Sequence, residues 1–279
     1  MLMTGARTRF LEMIARPEGE IDLTTAALLI AEEEYPGLDV AGYRTRLDAL
    51  AEEAKPRVGA AGDNPFAVID GLNSYLFGKM GFRGNTEEYF DPRNSFLNEV
   101  LDRRRGIPIT LSLIYMEVGA RVGFPVEGVG FPGHFLVRHA SEGRQILIDP
   151  FYQGQILVPD DCQRRLVATY GEEVPLEARF FEPVGKKQIL ARILHNLKGI
   201  YLKADDHERA LGVIERLLAL DPADPNLVRD RGLTHMNLSH HGRAVADLES
   251  YLRIWPAASD APAIRKQITA ICRLTATLN

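Results

Sequence analysis

The sequence predicts an α+β protein with three parts: a helical N-terminal layer, a core with a small antiparallel sheet, and a C-terminal set of α-helical hairpins. Three observations predict it. Apolar residues recur at three- and four-residue spacing through residues 1–90, as along Val40, Tyr43, Leu47 and Leu50. Between Asn94 and Tyr152 a long apolar helical run is followed by short alternating runs separated by turn residues. In the last hundred residues Ala210 and Ala244 stand 34 apart, as do Pro222 and Pro256, which is the signature of a repeat.

In the N-terminal part, Arg7–Ala15 reads as a short amphipathic helix. Asp22–Glu34 follows, with Asp22 or Thr24 as its N-cap and Tyr35-Pro36-Gly37 as its stop. Asp39–Glu53 is the third helix, and Lys55–Asn64, with its glycine, alanine and proline residues, reads as a connection. Pro65–Phe77 is the fourth, with Phe66, Ile69, Leu72 and Leu76 on one face. Gly78–Pro92, rich in glycine and aromatic residues, reads as an ordered loop.

In the central part, Asn94 or Ser95 caps a helix over Phe96–Arg104, and Gly106 ends it. Pro108 suits the first turn of the next helix, Pro108–Val122, where a missing N–H does no harm. That helix is apolar on nearly every side, which places it centrally. After the break at Gly123-Phe124-Pro125, Val126–Val129, His134–His139 and Gln145–Asp149 read as antiparallel strands. Ser141-Glu142-Gly143 is the expected hairpin turn, and Gln155–Val158 a further strand. Pro159–Tyr170 is a helix, and Pro175, Pro183 and Gly185 mark a linker. The expected divisions are residues 1–93, packed on the core, then 94–183, the core itself, and 184–279.

In the repeat part, Leu194, Leu197, Tyr201, Ala210, Ile214, Leu217 and Pro222 fall at the packing positions of a tetratricopeptide repeat. The second copy keeps Gly232, Ala244, Leu248 and Pro256 but carries Arg231 and His235 where apolar or aromatic residues are usual. Ala261–Ala276 reads as a capping helix. Each hairpin cannot bury its apolar face alone, and about three repeats are normally needed, so this part is expected to pack on the rest.

The composition, 46% hydrophobic and 25% charged, is that of a globular protein, and no apolar run is long enough to span a bilayer. The N-terminus has no uninterrupted apolar stretch of the secretory type. Cys162 and Cys272 have no metal or redox spacing and are expected as packing thiols in a reducing cytoplasm. A net charge of −5 argues against general nucleic-acid binding. From Lys186 onward, 14 lysines and arginines face 10 aspartates and glutamates, a mild asymmetry that could favour an acidic partner. The adjacent His240 and His241 point different ways on a helix, so no metal or cofactor site is expected.

The long motif NSFLNEVLDRRRGIPITLSLIYMEVGARVGFPVEGVGFPGHFLVR, followed by ILIDPF, resembles the SirB-type bacterial branch of the transglutaminase-like superfamily, with its papain-like core and C-terminal repeats. The resemblance implies a Cys-His-Asp triad. His134 matches its histidine and Asp149, followed by Pro150, its aspartate. Counting back from Gly123-Phe124-Pro125, the cysteine falls at or near Pro108, and none is present there.

A triad works because its base removes a proton from a nucleophile within hydrogen-bond reach. Without the thiol, Thr110 and Ser112 are the hydroxyls that could stand in, although such residues in a helix usually bond a carbonyl one turn back. Asn98 could donate to an oxyanion, and Arg105, in the run Arg103-Arg104-Arg105, could meet an acidic group or neutralise a helix C-terminus. Phe131 and Tyr152 complete the candidate cleft. Asn226, Arg229, His240 and His241 could line a groove in the repeats or be ordinary surface. The leading expectation is a cytoplasmic, non-catalytic protein that binds a protein or peptide partner through the cleft and the repeats, with homo-oligomers left open. The alternative is an amide or ester hydrolase or acyltransferase with a hydroxyl nucleophile, and a third reading is a regulatory module with an empty cleft.

Overall fold

The fold comes from a computed structural model, which describes residues 5–60, 62, 64–141 and 144–277. The chain forms two compact units, Met1–Ile193 and Leu194–Asn279.

The first unit opens with α1 (Gly5–Ile14), α2 (Leu23–Glu34), α3 (Val40–Gly59) and α4 (Pro65–Asn73). Asp22 caps α2 by accepting the Thr25 N–H, and Asp39 caps α3 through Gly42. The third helix overruns its expected end by a turn and a half. Its buried stripe Leu47, Leu50, Ala51 continues into Ala54 and Val58, and that burial carries the helix through Pro56. The fourth ends earlier than expected, passing into a π-turn over Ser74–Lys79. Phe66 is not on its buried face: that face is Val68, Ile69 and Leu72.

Two short strands, β1 (Arg83–Gly84) and β2 (Arg105–Gly106), pair in parallel and flank α5 (Leu97–Arg103). Asn94 and Ser95 do not cap α5. Asn94 is buried, where its amide donates to the Glu88 carbonyl and its side-chain oxygen accepts from Asn85, so it orders the loop instead. Arg104, in the left-handed region at φ 56°, ends α5, and Gly106 belongs to β2. Next comes α6 (Pro108–Arg121), buried from Pro108 to Tyr115 as an all-round apolar helix should be.

The sheet is antiparallel in the order β3 (Glu127–Val129), β4 (Leu136–Ser141), β5 (Arg144–Asp149) and β6 (Gln155–Leu157). Its register sets Val129 opposite Leu136, Val137 opposite Ile148 and Asp149 opposite Gln155. Glu142 and Gly143 of the expected hairpin turn lie outside the described residues. The helix α7 (Pro159–Tyr170) contributes Cys162 and Leu166 to a cluster with Val129, Phe131, Leu136 and Leu157.

The second unit holds the end of α8 (Lys186–Lys203), then α9 (His207–Leu220), α10 (Pro225–Asn237), α11 (His241–Ile254) and α12 (Ala261–Thr277). Leu194, Leu197, Tyr201, Ala210, Ile214 and Leu217 are all buried, as repeat packing requires. In the second copy a charged pair replaces apolar packing: both terminal oxygens of Asp247 accept from Arg231 at 2.7 Å. His235 is buried with its Nδ1 at 3.2 Å from that of His240. Arg229 is tied to Asp230 and Asp260. Cys272, expected as a packing thiol, is exposed.

Candidate functional site

The site forms where β5 stops. Pro150 has no N–H to continue a ladder, so the chain turns through a single 3-10 turn, Pro150–Tyr152. Asp149 caps that turn: its Oδ1 accepts the N–H groups of Phe151 at 3.1 Å and Tyr152 at 3.4 Å. The return passes through Gln153 and Gly154, both at positive φ. A Cβ at Gly154 would lie 1.9 Å from Asn73 Oδ1, and the Asn73 amide donates to the Gly154 carbonyl at 2.8 Å. Only glycine lets the last residue of α4 brace this turn so closely.

The other oxygen of Asp149 carries the chemistry. His134 Nε2 donates to Oδ2 at 2.9 Å, and the guanidinium of Arg165 reaches the same atom at 2.7 Å. An ionised carboxylate only accepts, so Nε2 carries the proton and Nδ1 is left as the reactive nitrogen. Asp149 is fully buried while His134 keeps an exposed edge. Thus the buried charge has one full cation, one imidazole and two backbone donors around it.

His134 does not begin a strand as expected. It sits in the turn before β4, its N–H bonded to the Phe131 carbonyl at 2.9 Å. Gly133, at φ +69°, lies against Thr169 of α7, so close that a Cβ would come within 2.5 Å of the threonine hydroxyl. The imidazole then meets Phe151 edge-on with centroids 6.0 Å apart and Tyr152 at 6.1 Å. Arg165 stacks over the Tyr152 ring at 4.7 Å.

The remaining sequence candidates divide. Thr110 is fully buried and occupied: its Oγ1 accepts the Ile107 N–H at 3.1 Å and lies 2.8 Å from the Asn94 carbonyl. Its hydroxyl closes the first turn of α6. Ser112 is fully buried, and its Oγ has no partner among the described residues, not even the carbonyl one turn back. Asn98 is buried rather than on a surface, with its side-chain oxygen unpartnered among the described residues. Arg105 faces Glu87 at 3.7 Å. Phe131, read as a cleft residue, is instead fully buried against Phe180 and Phe181, because its turn inserts it into the cluster under α7. Tyr152 is exposed beside His134. Cys162 is sealed in the same cluster as Phe131, where burial pushes its thiol pKa up. Among the described residues no cluster of His, Cys, Asp and Glu could hold a metal ion.

The family described as the transglutaminase-like superfamily matches residues 41–195, and a tetratricopeptide repeat matches residues 197–269. A UPF0162 protein of Xylella fastidiosa (strain Temecula1) is 39% identical over 248 residues, 88% of each chain. The chain belongs to the UPF0162 family of transglutaminase-like proteins. A UPF0162 protein of Vibrio cholerae is 29% identical over 252 residues, 90% of this chain and 93% of that one. The human F-box only protein 21 is 35% identical over 138 residues, which are 47% of this chain and 21% of that protein.

In this UPF0162 chain the residue that sequence reasoning missed is Arg165. A signal for it existed. Cys162 and Leu166 mark the inner face of α7 at helical spacing, and Arg165, three residues after Cys162, falls beside them. A carboxylate buried at the end of β5 needs a cation, and the next helix supplies it.

Proposed function

We propose that this protein is a non-catalytic member of its superfamily that binds a protein or peptide partner, using the mouth of the His134–Asp149 site and the surface of its tetratricopeptide repeats. The observation that carries this reading is the state of α6. Its first residue is Pro108, which offers neither a nucleophile nor an N–H. The first hydroxyl after it, Thr110, is committed to backbone groups on two sides. This supports reading His134 as an oriented base without the superfamily's thiol, with the fully buried Ser112 as the one of the two candidate hydroxyls left without a partner among the described residues.

Tetratricopeptide repeats commonly mediate protein interactions, and the repeat match covers residues 197–269. Among the described residues no helix is long and apolar enough to cross a membrane. A cytoplasmic location, membership of the SirB-type branch, and a core beginning at residue 94 are parts of the same proposal.

The test is chemical. Fluorophosphonate and activated-ester probes, followed by intact-mass spectrometry, should leave the protein unmodified. A stoichiometric adduct on Thr110 or Ser112 that disappears in His134→Ala would instead establish the hydrolase.

A further inference from the structure

The two helical hairpins of the second unit close the same turn with different chemistry. Tyr201, Asp205, Asp206 and Arg209 stand 34 residues before His235, Ser239, His240 and Arg243. The backbones match: Asp205 and Ser239 have positive φ, 55° and 58°. The N–H groups of Asp206 and His240 donate to the Tyr201 and His235 carbonyls, each at 2.9 Å. In the first turn the Asp206 carboxylate caps α9 by accepting the Arg209 N–H at 3.1 Å, and it also holds the Arg209 guanidinium at 2.7 Å. In the second turn His240 stands at the N-cap of α11 and makes no side-chain cap bond.

The His240 side chain meets His235 instead. Their Nδ1 atoms are 3.2 Å apart and their ring centroids 5.4 Å. Two imidazole nitrogens at that separation form a hydrogen bond only when one carries a proton and the other a lone pair. A first added proton can enter at an outer Nε2 without disturbing the bond. A second cannot, because two Nδ1–H groups would then face each other. His235 is 4% exposed, so a charge on it is also poorly solvated. Of the charged groups acting on His235, Asp247 favours its protonation but is already held by Arg231 at 2.7 Å, while His240, Arg243 and Arg231 oppose it. From α9, Glu215 acts on Arg231. His241, next in the chain, keeps its Nδ1 buried without a partner among the described residues, and so does its counterpart His207 in the first turn.

We propose that His235 and His240 form a proton-operated latch across the turn between α10 and α11, closed by one Nδ1 proton between them and opened when acid protonates both rings. The latch stands where the first hairpin has a carboxylate cap. Its direction follows from linkage. Once the turn is open, both imidazoles bind protons near the ordinary histidine value of about 6.5, so opening takes up protons and is favoured below that pH. Closure of the turn does not depend on what the repeats bind.

The test is amide hydrogen exchange of the full chain, read by mass spectrometry at about pH 7.5 and about pH 5.5, with each rate divided by the intrinsic rate at that pH. Protection of the second turn, residues 235–244, should fall about tenfold over the one pH unit below about 6.5 for each proton that opening takes up. The first turn, residues 201–210, should keep its protection, and because it contains His207 it also controls for His241. His240→Asp gives the second turn the cap of the first and should hold it closed at both pH values. In imidazole-selective 15N spectra at neutral pH, one exchange-protected Nδ1 proton should appear, and His240→Gln should remove it. His240 is the exposed member of the pair, so these substitutions leave the packing of His235 in place. Equal protection of the second turn at both pH values would overturn the latch, as would the absence of the protected proton. Equal loosening of both turns would mark a global loss of stability and overturn it too. Loosening undiminished in His240→Gln would assign the effect to the buried His235 alone, and loosening undiminished in His240→Asp would move it away from this turn; either result overturns the latch.

Discussion

Replacing Arg165 by methionine keeps the aliphatic stem and deletes the charge. Its partner Asp149 has no exposed surface, and the ion pair is 2.7 Å long. Removing one member of a buried pair costs about 3–5 kcal/mol, because the other charge is left in a poor solvent. Two features reduce that here. Arg165 is one-fifth exposed, and Asp149 keeps His134 and two backbone donors. About 2–3 kcal/mol is then expected from the pair, with about 0.5 kcal/mol more from the lost stacking on Tyr152. For a folding unit of this size, 1 kcal/mol is about 2–4 °C in Tm, so Arg165→Met should melt roughly 5–14 °C below wild type. The melt should be followed by circular dichroism, since the single tryptophan, Trp255, lies in the second unit. Asp149→Asn combined with Arg165→Met should recover part of the loss, because no charge is then stranded. A loss below about 1 kcal/mol, or a double variant whose cost is the simple sum, would refute the argument.

Other outcomes are checked more briefly. Burial lowers the His235 pKa from its ordinary 6.5, so the unfolded chain binds the proton more readily. The stability this histidine confers is complete above about pH 6.5 and falls as the pH drops below it; urea titrations from pH 8 to pH 5 should show this slope, and His235→Gln should flatten it. Cys162 is sealed and its thiol pKa raised, whereas Cys272 is exposed. Iodoacetamide at neutral pH should label Cys272 alone and leave partner binding unchanged, and peptide mapping that finds Cys162 alkylated in folded protein would contradict the burial argument. Gly154→Ala meets Asn73 and a positive φ together, and should cost at least about 2 kcal/mol by chemical denaturation, with Asn73→Ala in the same chain relieving part of it.

Much of the site was readable from local signals. A histidine after a glycine turn and an aspartate before Pro150 stand at two successive strand ends, and the antiparallel register brings them to one place. The all-apolar α6 and the 34-residue repeat were equally plain, because burial on every side and self-similarity leave strong patterns. Features that depend on a distant partner were not readable. The extension of α3 through Pro56 depends on Ala54 and Val58 finding a core to enter, which overrides the local break. Spacing alone points Phe66 inward, yet it sits in the first turn of α4 and is exposed. Asn94 resembles a cap until Asn85 and Glu88 draw its side chain into the loop. Phe131 resembles a cleft residue until Phe180 and Phe181, fifty residues on, close over it.

Arg165 changes what the His–Asp pair means. A carboxylate whose free oxygen serves only an imidazole is arranged to orient a base and to stabilise its charged form. Here the same oxygen also serves a guanidinium, so its charge is shared between two segments of the chain. Through that atom the end of β5, the turn at Gly133-His134 and the helix α7 are joined, and Thr169 presses on Gly133 from the same face of α7. The arrangement is therefore a bracket as much as a dyad: it fixes Tyr152 beside Arg165 and holds the aromatic rings at the mouth in one geometry. The His–Asp pair thus has a structural role in this chain that is independent of any proton transfer. His134→Gln, which can still donate a hydrogen bond, should then preserve most of the stability and the partner binding, whereas a catalytic base would tolerate no such replacement.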